Sequence, residues 1–299
     1  MNKTKYGIFD FFKFTKKRRQ NTQEPANKQT WIKHAISEFI GTIFISMGLA
    51  GLSIYVGNKP IEHLFLLHNT IVGFFAGFIV VGLCLFFFLR WSCDLNPAVT
   101  LTRYLNGTNT GKYALMKFAM QVLGMFAAAG IIYAIGMNTS TTGIPNSPIL
   151  ADVAAGKAFD NVKSDDVMAG STWIFFTELV MTAILLFPIF SPNINDKYRD
   201  LMIMFIISLS VWMGILGGSA AINPARGLAQ QLPYLFNAAN TGATVSNSFI
   251  GGTIAMTLGS SLAPVFYLFI QGITQKYVNP FVVYCIKFKN DRNNNMTTK

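Results

Sequence analysis

Long apolar stretches alternate with short polar segments along the chain. Two of these stretches, residues 64–89 and 248–275, contain no Asp, Glu, Lys or Arg. An α-helix needs about 20 apolar residues to cross the hydrocarbon core of a bilayer. We therefore predict six membrane-spanning helices, at residues 31–55, 64–89, 113–137, 171–190, 201–217 and 248–275.

The composition agrees with an all-α membrane protein. The chain is 52% hydrophobic and 12% charged, about half the charged fraction of an ordinary soluble domain. The cysteines Cys84, Cys93 and Cys285 are too few and too scattered for a disulfide framework or a zinc site. The sequence contains no nucleophile–base pattern either, so we predict no enzymatic activity, no cofactor and no bound metal.

The positive charge is concentrated at the two ends of the chain. The net charge is +11, and residues 1–33 include the run "KKRR" at 16–19. Basic segments beside membrane spans stay in the cytoplasm, and an even number of spans places both termini on one side. We predict a multi-pass protein of the cell membrane with cytoplasmic tails at 1–30 and 276–299, the second one disordered at its polar end. The basic run is expected to attract anionic lipid; a nucleic-acid-binding arm is the disfavoured alternative, and no nucleic-acid partner is predicted.

The tripeptide Asn-Pro-Ala occurs twice, in "CDLNPAVTLTRYL" and in "SAAINPARGLAQQ". In each half of the chain the order is the same: a span with one glutamate (Glu38 or Glu178), a second span, the triplet, and a third span. We predict two repeats, at residues 31–137 and 171–275, joined by an outer loop at 138–170. An odd number of spans per repeat makes the second repeat inverted, an arrangement common in membrane transport proteins.

The segments that carry the triplets, residues 94–106 and 221–235, are too short to cross a membrane. We predict two re-entrant half-helices that begin at Asn96-Pro97-Ala98 and Asn223-Pro224-Ala225, because Asn is a good N-cap and Pro suits the first helical position. Inverted symmetry would bring the two N-termini together in mid-membrane. Their partial positive charges and the amide donors would accept a water or hydroxyl oxygen, repel cations and interrupt a proton-conducting chain.

The glutamates Glu38 and Glu178 are intramembrane acids and therefore candidates for a functional role. The favoured interpretation is that each carboxylate accepts hydrogen bonds from a re-entrant loop and supports it. The alternative is a proton relay. Each acid recurs once per repeat, which favours support.

Together, the two triplets, the duplicated glutamate helix and the arginine after the second triplet resemble the major intrinsic protein family of aquaporins and aquaglyceroporins, over residues 31–275. The resemblance implies a channel domain of six tilted helices and two half-helices, one pore per protomer, and a homotetramer. It also implies that Arg226 belongs to an outer selectivity filter, where it would donate hydrogen bonds to permeants and oppose cations. A snorkelling arginine, or one paired with a loop acid, is the alternative.

Counting back from the triplets without gaps places the remaining filter positions at Ala76, Val211 and Ala220. These small side chains predict a wide filter that passes glycerol as well as water. In the alternative, a water-selective channel, a shifted register would let one of three aromatic residues narrow the opening: Phe74, Phe75 or Trp212. Gly227 fits neither pattern, because glycerol facilitators usually have Asp there and water channels often have Ser.

Asp94 stands where the family usually has His before the first triplet. Two interpretations remain open: the acid pairs with Arg90 or Arg103, or it makes the cytoplasmic vestibule sensitive to pH or cations. The function predicted overall is a passive channel for small uncharged solutes, glycerol and water. A proton-coupled secondary transporter is less favoured, because the second, fifth and sixth spans contain no Asp or Glu.

Overall fold

A computed structural model describes residues 7–50, 71–139, 145–158 and 166–294 of the chain. The end of the first predicted span, the start of the second and parts of the outer loop lie outside these residues. The helices, labelled in chain order, are α1 (Lys28–Ala50), α2 (Ile71–Phe88), α3 (Pro97–Leu105), α4 (Gly111–Thr139), α5 (Ala151–Ala158), α6 (Val167–Phe190), α7 (Asp196–Gly217), α8 (Pro224–Thr241), α9 (Asn247–Ile273) and α10 (Asn279–Asn294).

The predicted spans correspond to long helices. Among the described residues, α1, α2, α4, α6 and the run that begins with α9 are each long and apolar enough to cross a membrane. The fifth predicted span lies within α7, which is 22 residues long and begins with the polar sequence "DKYRD". The two triplet segments form the separate helices α3, of nine residues, and α8, of 18 residues, as the sequence predicted, although α8 continues to Thr241, beyond the predicted end of its segment at residue 235.

The helix α2 departs from regular α-helical geometry over Phe75–Val81, where it is a π-helix. A π-turn holds more residues than an α-turn and shifts the direction of the side chains that precede it. Two glycines, Gly73 before this segment and Gly77 within it, let the backbone of α2 approach α7. A Cβ atom at Gly77 would collide with the carbonyl oxygen of Met204.

The two repeats pack in the same way. The glutamate helix of each repeat contacts the third span of that repeat: α1 packs on α4, and α6 packs on α9. That third span also contacts the half-helix of the other repeat, so that α4 packs on α8 and α9 packs on α3. This exchange of half-helices brings the two Asn-Pro-Ala segments together at the interface between the repeats.

The residues before α1 fold onto the channel domain, so the boundary near residue 30 does not separate a free tail from it. We call residues 7–25 the N-terminal strap. Its Phe12 side chain is buried, and its backbone pairs with the end of α3: the Lys13 N–H donates to the Leu105 carbonyl (2.8 Å) and the Gln23 N–H to the Thr108 carbonyl (2.7 Å).

The C-terminal segment is helical for longer than its composition predicts. The helix α9 continues through the π-helical segment Thr274–Val278 into α10, which ends at Asn294. The prediction of a disordered polar end is wrong up to this residue. Extending an existing helix avoids the cost of nucleating a new one, so a polar sequence of weak propensity can remain helical here.

Candidate functional site

Each half-helix begins at the asparagine of its triplet. Asn96 and Asn223 both have extended backbone conformations and serve as N-caps. The side-chain oxygen of Asn96 accepts from the Ala98 N–H (2.9 Å). The side-chain oxygen of Asn223 accepts from the N–H groups of Ala225 (3.0 Å) and Arg226 (3.2 Å). Because the oxygens are used for capping, the amide NH₂ groups face away from the helices that they cap.

The two asparagines are joined across the interface between the repeats. The amide nitrogen of Asn96 donates to the Ile222 carbonyl (3.0 Å), and that of Asn223 donates to the Leu95 carbonyl (2.8 Å). The two accepting residues have positive φ angles, 49° for Leu95 and 46° for Ile222, which is uncommon for bulky side chains. An amide NH₂ has two hydrogens, so each asparagine retains a second donor beyond this bond.

Glu38 is fully buried on α1 and accepts hydrogen bonds from the loop before the first triplet. One carboxylate oxygen accepts from the N–H of Asp94 (2.9 Å) and the hydroxyl of Ser92 (2.5 Å). The other accepts from the N–H of Leu95 (2.9 Å) and the side-chain amide of Gln121 (2.9 Å) on α4. The carboxylate thus fixes the backbone that immediately precedes Asn96.

Glu178 has the equivalent contacts in the second repeat. Its carboxylate accepts from the hydroxyl of Ser219 and from the N–H groups of Ala221 and Ile222, both at 2.7 Å. Relative to each asparagine, the bonded serine and the two bonded N–H groups occupy the same sequence positions in both repeats. Repeating this motif satisfies backbone donors that would otherwise be buried without a partner.

Arg226 follows the second triplet in the first turn of α8, and only 7% of its surface is exposed. Its guanidinium group donates to the Ala220 carbonyl through Nη1 (3.2 Å) and to the Leu49 carbonyl of α1 through Nη2 (3.2 Å). Among the described residues, Nε has no hydrogen-bond partner. Two backbone carbonyls therefore hold the charged group in place, and no acidic side chain within the described ranges lies at ion-pair distance.

Of the other sequence-predicted filter residues, Ala220 contacts this arginine directly, through its backbone carbonyl. Ala76 and Val211 belong to one apolar cluster with Leu49 and Ile222. Ala76 is fully buried and Val211 is 6% exposed, whereas Ala220 is half-buried and contributes the carbonyl that Arg226 binds. The three aromatic alternatives have more surface exposed: 55% for Phe74, 37% for Phe75 and 38% for Trp212.

Asp94 is buried and neutralised by two cations. Its carboxylate lies 2.7 Å from Nε of Arg103 and 2.8 Å from Nζ of Lys117. Arg90, the other partner considered from the sequence, is exposed and forms no ion pair with it. Lys117 also approaches the Glu38 carboxylate to 3.8 Å. The sequence pointed to Asp94 and Arg103 but missed Lys117, because a single lysine on a spanning helix has no local motif.

A polar cavity of about 300 Å³ adjoins this ion-pair cluster. It lies between the N-terminal strap, the loop before the first triplet and the starts of α1 and α4. The side chains around it include Glu24, His34, Asp94, Arg103 and Asn109. No group of His, Cys, Asp or Glu within the described part of the chain is arranged to hold a metal ion.

Two glutamines on α8, also missed from the sequence, hold the described part of the loop between the repeats against the half-helix. The side-chain amide of Gln230 donates to the Ser147 carbonyl (2.8 Å). The side-chain amide of Asn146 donates to the backbone carbonyl of Gln230 (2.7 Å). Gln231 accepts from the Ile149 N–H (2.7 Å) and donates to the Ile149 carbonyl (3.0 Å). The sequence "LAQQ" therefore has a structural use: it fastens the loop between the repeats to α8.

Gly227 has a packing explanation. A Cβ atom there would collide with the sulfur of Met256 on α9 and would lie 2.8 Å from Cβ of Ala221. The Asp or Ser that related channels place here would not fit between α8 and α9 without rearrangement.

Comparison with known proteins identifies the family. The sequence profile described as "Major intrinsic protein" matches residues 25–258. Aquaporin A of Dictyostelium discoideum is 26% identical over 215 residues, which cover 67% of this chain and 68% of that protein. Aquaporin-3 of Milnesium tardigradum is 25% identical over 214 residues, which cover 68% of this chain and 65% of that protein.

The fold is similar to the X-ray structure of the aquaglyceroporin from Plasmodium falciparum. The TM-score is 0.59 at 18% sequence identity, and the match covers 85% of this chain and 99% of that one. The family match spans most of the chain, including both triplets and Arg226. The chain therefore belongs to the major intrinsic protein family, whose members are multi-pass membrane channels for small solutes rather than enzymes.

Proposed function

We propose that this chain is a passive channel for glycerol and water. The observation that carries the proposal is the pair of reciprocal amide–carbonyl bonds that join Asn96 and Asn223 at the N-termini of α3 and α8. Each asparagine retains one amide hydrogen, and each helix N-terminus has a partial positive charge. This place favours the oxygen of a water or hydroxyl group and opposes cations.

The same geometry provides a basis for proton exclusion. A water between the two amides would accept hydrogen bonds from both, so its own hydrogens would point away from the constriction. A continuous chain of waters that all donate in one direction could not then form. The channel would conduct neutral solutes without dissipating a proton gradient.

The residues that the sequence assigns to the filter would admit polyols. Ala76, Val211 and Ala220 have neither a ring nor a hydrogen-bonding side chain, so donors to a permeant would come from the arginine. A filter of aliphatic walls and one fixed cation suits a molecule with both carbon atoms and hydroxyl groups, such as glycerol. The water-selective alternative requires that Phe74, Phe75 or Trp212 lie beside the arginine.

Glu38 and Glu178 would act as supports for the two re-entrant loops rather than as a proton relay. Each carboxylate already accepts at least three hydrogen bonds from its loop and neighbours. The two buried acids also lie in separate repeats. Asp94, paired with Arg103 and Lys117, would fix the cytoplasmic side of α3 rather than provide a free charge in the vestibule.

The proposed setting is the cell membrane, with both termini in the cytoplasm and four copies forming a homotetramer that contacts lipid. The basic N-terminal strap and the lysines of α10 favour this orientation. No nucleic-acid partner, cofactor or metal is part of the proposal.

Stopped-flow light scattering on proteoliposomes tests the proposed permeants. When sucrose is added outside the liposomes, shrinkage should be much faster than in empty liposomes. Under a glycerol gradient, shrinkage should be followed by re-swelling that is also faster than in empty liposomes. Rapid water flux with glycerol uptake at the empty-liposome rate would instead support the water-selective alternative.

A proton gradient separates a channel from a coupled transporter. Glycerol uptake should have the same rate with and without an imposed pH gradient, because a channel moves a neutral solute only down the gradient of that solute. Accumulation of glycerol above its external concentration when protons flow inward would overturn the channel mechanism.

A further inference from the structure

The inner side of the N-terminal strap is fastened to the carboxyl end of the half-helix α3. The guanidinium group of Arg19 donates to the carbonyls of Tyr104 and Asn109, both at 3.1 Å, and lies 4.2 Å from the centre of the Tyr104 ring. Phe12 is 7% exposed and packs in one cluster with Val99 of α3. The strap therefore has a fixed position on the channel and a defined outer side.

The outer side begins at the exposed apolar surface of α9. The Phe9 ring centre lies 6.0 Å from that of Phe269 on α9. A Cβ atom at Gly272 would collide with the Ile8 carbonyl, so the strap lies directly on the helix. Phe9 is 64% exposed and Phe14 is 66% exposed. Exposed phenylalanine rings beside a membrane-spanning helix suit the boundary between the headgroups and the acyl chains of a bilayer.

Three cations follow these rings in a single short helical turn. Lys16, Lys17 and Arg18 are exposed. Arg18 pairs with Asp10 (3.2 Å), whereas among the described residues no acidic side chain lies at ion-pair distance from Lys16 or Lys17. The unpaired charges of Lys16 and Lys17 are therefore exposed to solvent, whereas the adjoining Arg19 binds the end of α3.

We propose that Phe9, Phe14, Lys16, Lys17 and Arg18 form a docking surface for anionic phospholipid headgroups of the adjacent leaflet. Charge complementarity selects an anionic partner, and the contact between Phe9 and the exposed apolar surface of the spanning helix α9 favours the membrane over a soluble polyanion. Each lysine or arginine near such a membrane contributes about a fivefold gain in binding. The proposal is independent of which neutral solute the channel conducts.

Docking of the strap's outer side on the membrane would stabilise the hydrogen bonds that its inner side makes with the channel. Three backbone amides report on them: the Lys13 N–H bonded to Leu105, the Gln23 N–H bonded to Thr108, and the Thr110 N–H bonded to Gln23. When the strap is held on the membrane, these bonds should open less often, and their hydrogens should exchange more slowly with solvent.

Hydrogen exchange measured by mass spectrometry on the full chain in nanodiscs tests this surface. One set of nanodiscs contains phosphatidylcholine alone, and the other contains about one third phosphatidylglycerol. We expect strap exchange to slow at least about fivefold in the anionic nanodiscs. Lys16→Gln/Lys17→Gln should lose most of this slowing, because it removes two of the cations that attract the anionic lipid. Neither side chain makes an inward contact, so the strap itself should stay in place. Lys287→Gln/Lys289→Gln, which removes two exposed cations from α10, should retain it.

Three results would overturn the proposal. The first is equal strap exchange in the two kinds of nanodisc. The second is full slowing in the Lys16→Gln/Lys17→Gln variant, which would mean that the anionic surface acts elsewhere. The third is equal slowing by millimolar inorganic phosphate in phosphatidylcholine nanodiscs, which would indicate a site for free anions. Size-exclusion profiles that match the wild type would show that the variants remain folded.

Discussion

At the scale of single residues, the site depends on how the protein itself holds the guanidinium group of Arg226. Arg226 is held by two backbone carbonyls rather than by an acid, so its positive charge is not cancelled locally. An uncancelled charge at a narrow aqueous constriction opposes cations and binds the oxygens of permeants. In the proposed filter, the fixed guanidinium group would also limit the size of the opening.

Replacing this arginine should change selectivity more than assembly. We expect Arg226→Ala to raise permeability to polyols larger than glycerol several-fold and to weaken the exclusion of cations, because both the bulk and the charge are lost. Light-scattering and ion-flux assays on proteoliposomes measure the two effects. Arg90→Ala, which removes an exposed arginine, is the control. Loss of folded protein in Arg226→Ala alone would show that the arginine is structural instead.

The supporting glutamates should matter for stability. Glu38→Ala leaves the N–H groups of Asp94 and Leu95 and the amide of Gln121 without this acceptor, and each such buried group costs about 1–3 kcal/mol. The melting temperature in detergent should fall strongly. Glu24→Ala, at an exposed glutamate of the N-terminal strap, should have little effect. A stable Glu38→Ala protein with altered pH dependence of permeability would favour the proton relay.

At the scale of helices, the repeats use the same device to bring the glutamate helix against the third span. A Cβ atom at Gly124 of α4 would lie 2.7 Å from the Phe39 carbonyl of α1, and one at Gly259 of α9 would collide with the Phe175 carbonyl of α6. Close packing through small residues is typical of membrane helices. The closeness positions the glutamate to reach the loop beyond it.

Gly259→Ala should weaken the packing of α6 on α9. The added methyl group meets a backbone oxygen that cannot move away by a side-chain rotation, and overpacking of this kind costs about 1–3 kcal/mol. We expect a lower melting temperature in detergent. Gly130→Ala is the matched control, since nothing lies within 4 Å of a Cβ atom there. Equal melting temperatures for the two variants would contradict this account of the packing.

At the scale of the whole molecule, the parts that the sequence predicts are those encoded by local chemistry. Hydrophobic length predicts the spans, and Asn followed by Pro predicts the starts of α3 and α8. The contacts of the N-terminal strap could not be found in this way, because Gln23 and Thr108 are far apart in the sequence. Nor could the partnership of Lys117 with Asp94, which depends on the rotation of α4.

The filter shows a different limit. Counting back from Asn96 to Ala76 assumes a regular helix, but the count passes through the π-helical segment Phe75–Val81. One additional residue in a turn rotates the preceding side chains by about 100° relative to a regular helix. The position of Ala76 in an apolar cluster could therefore be obtained only from the folded backbone.

The orientation of the whole molecule can be tested with its own cysteines. Cys285 on α10 is exposed, Cys84 is buried, and Cys93 is half-buried between the repeats and the N-terminal strap. If both termini are cytoplasmic, a membrane-impermeant maleimide added to sealed cells should leave the chain unlabelled. The same reagent should label it once the membranes are opened.

Cys285→Ser is the control that assigns the label, because it removes the exposed thiol from a helix that makes few contacts with the channel. Opened membranes containing this variant should show little labelling, and its glycerol permeability should equal that of the wild type. Labelling of the wild type in sealed cells that disappears in Cys285→Ser would place the C-terminus outside. An inverted molecule would also carry the basic N-terminal strap to the outer leaflet, so the same experiment decides which leaflet the strap can reach.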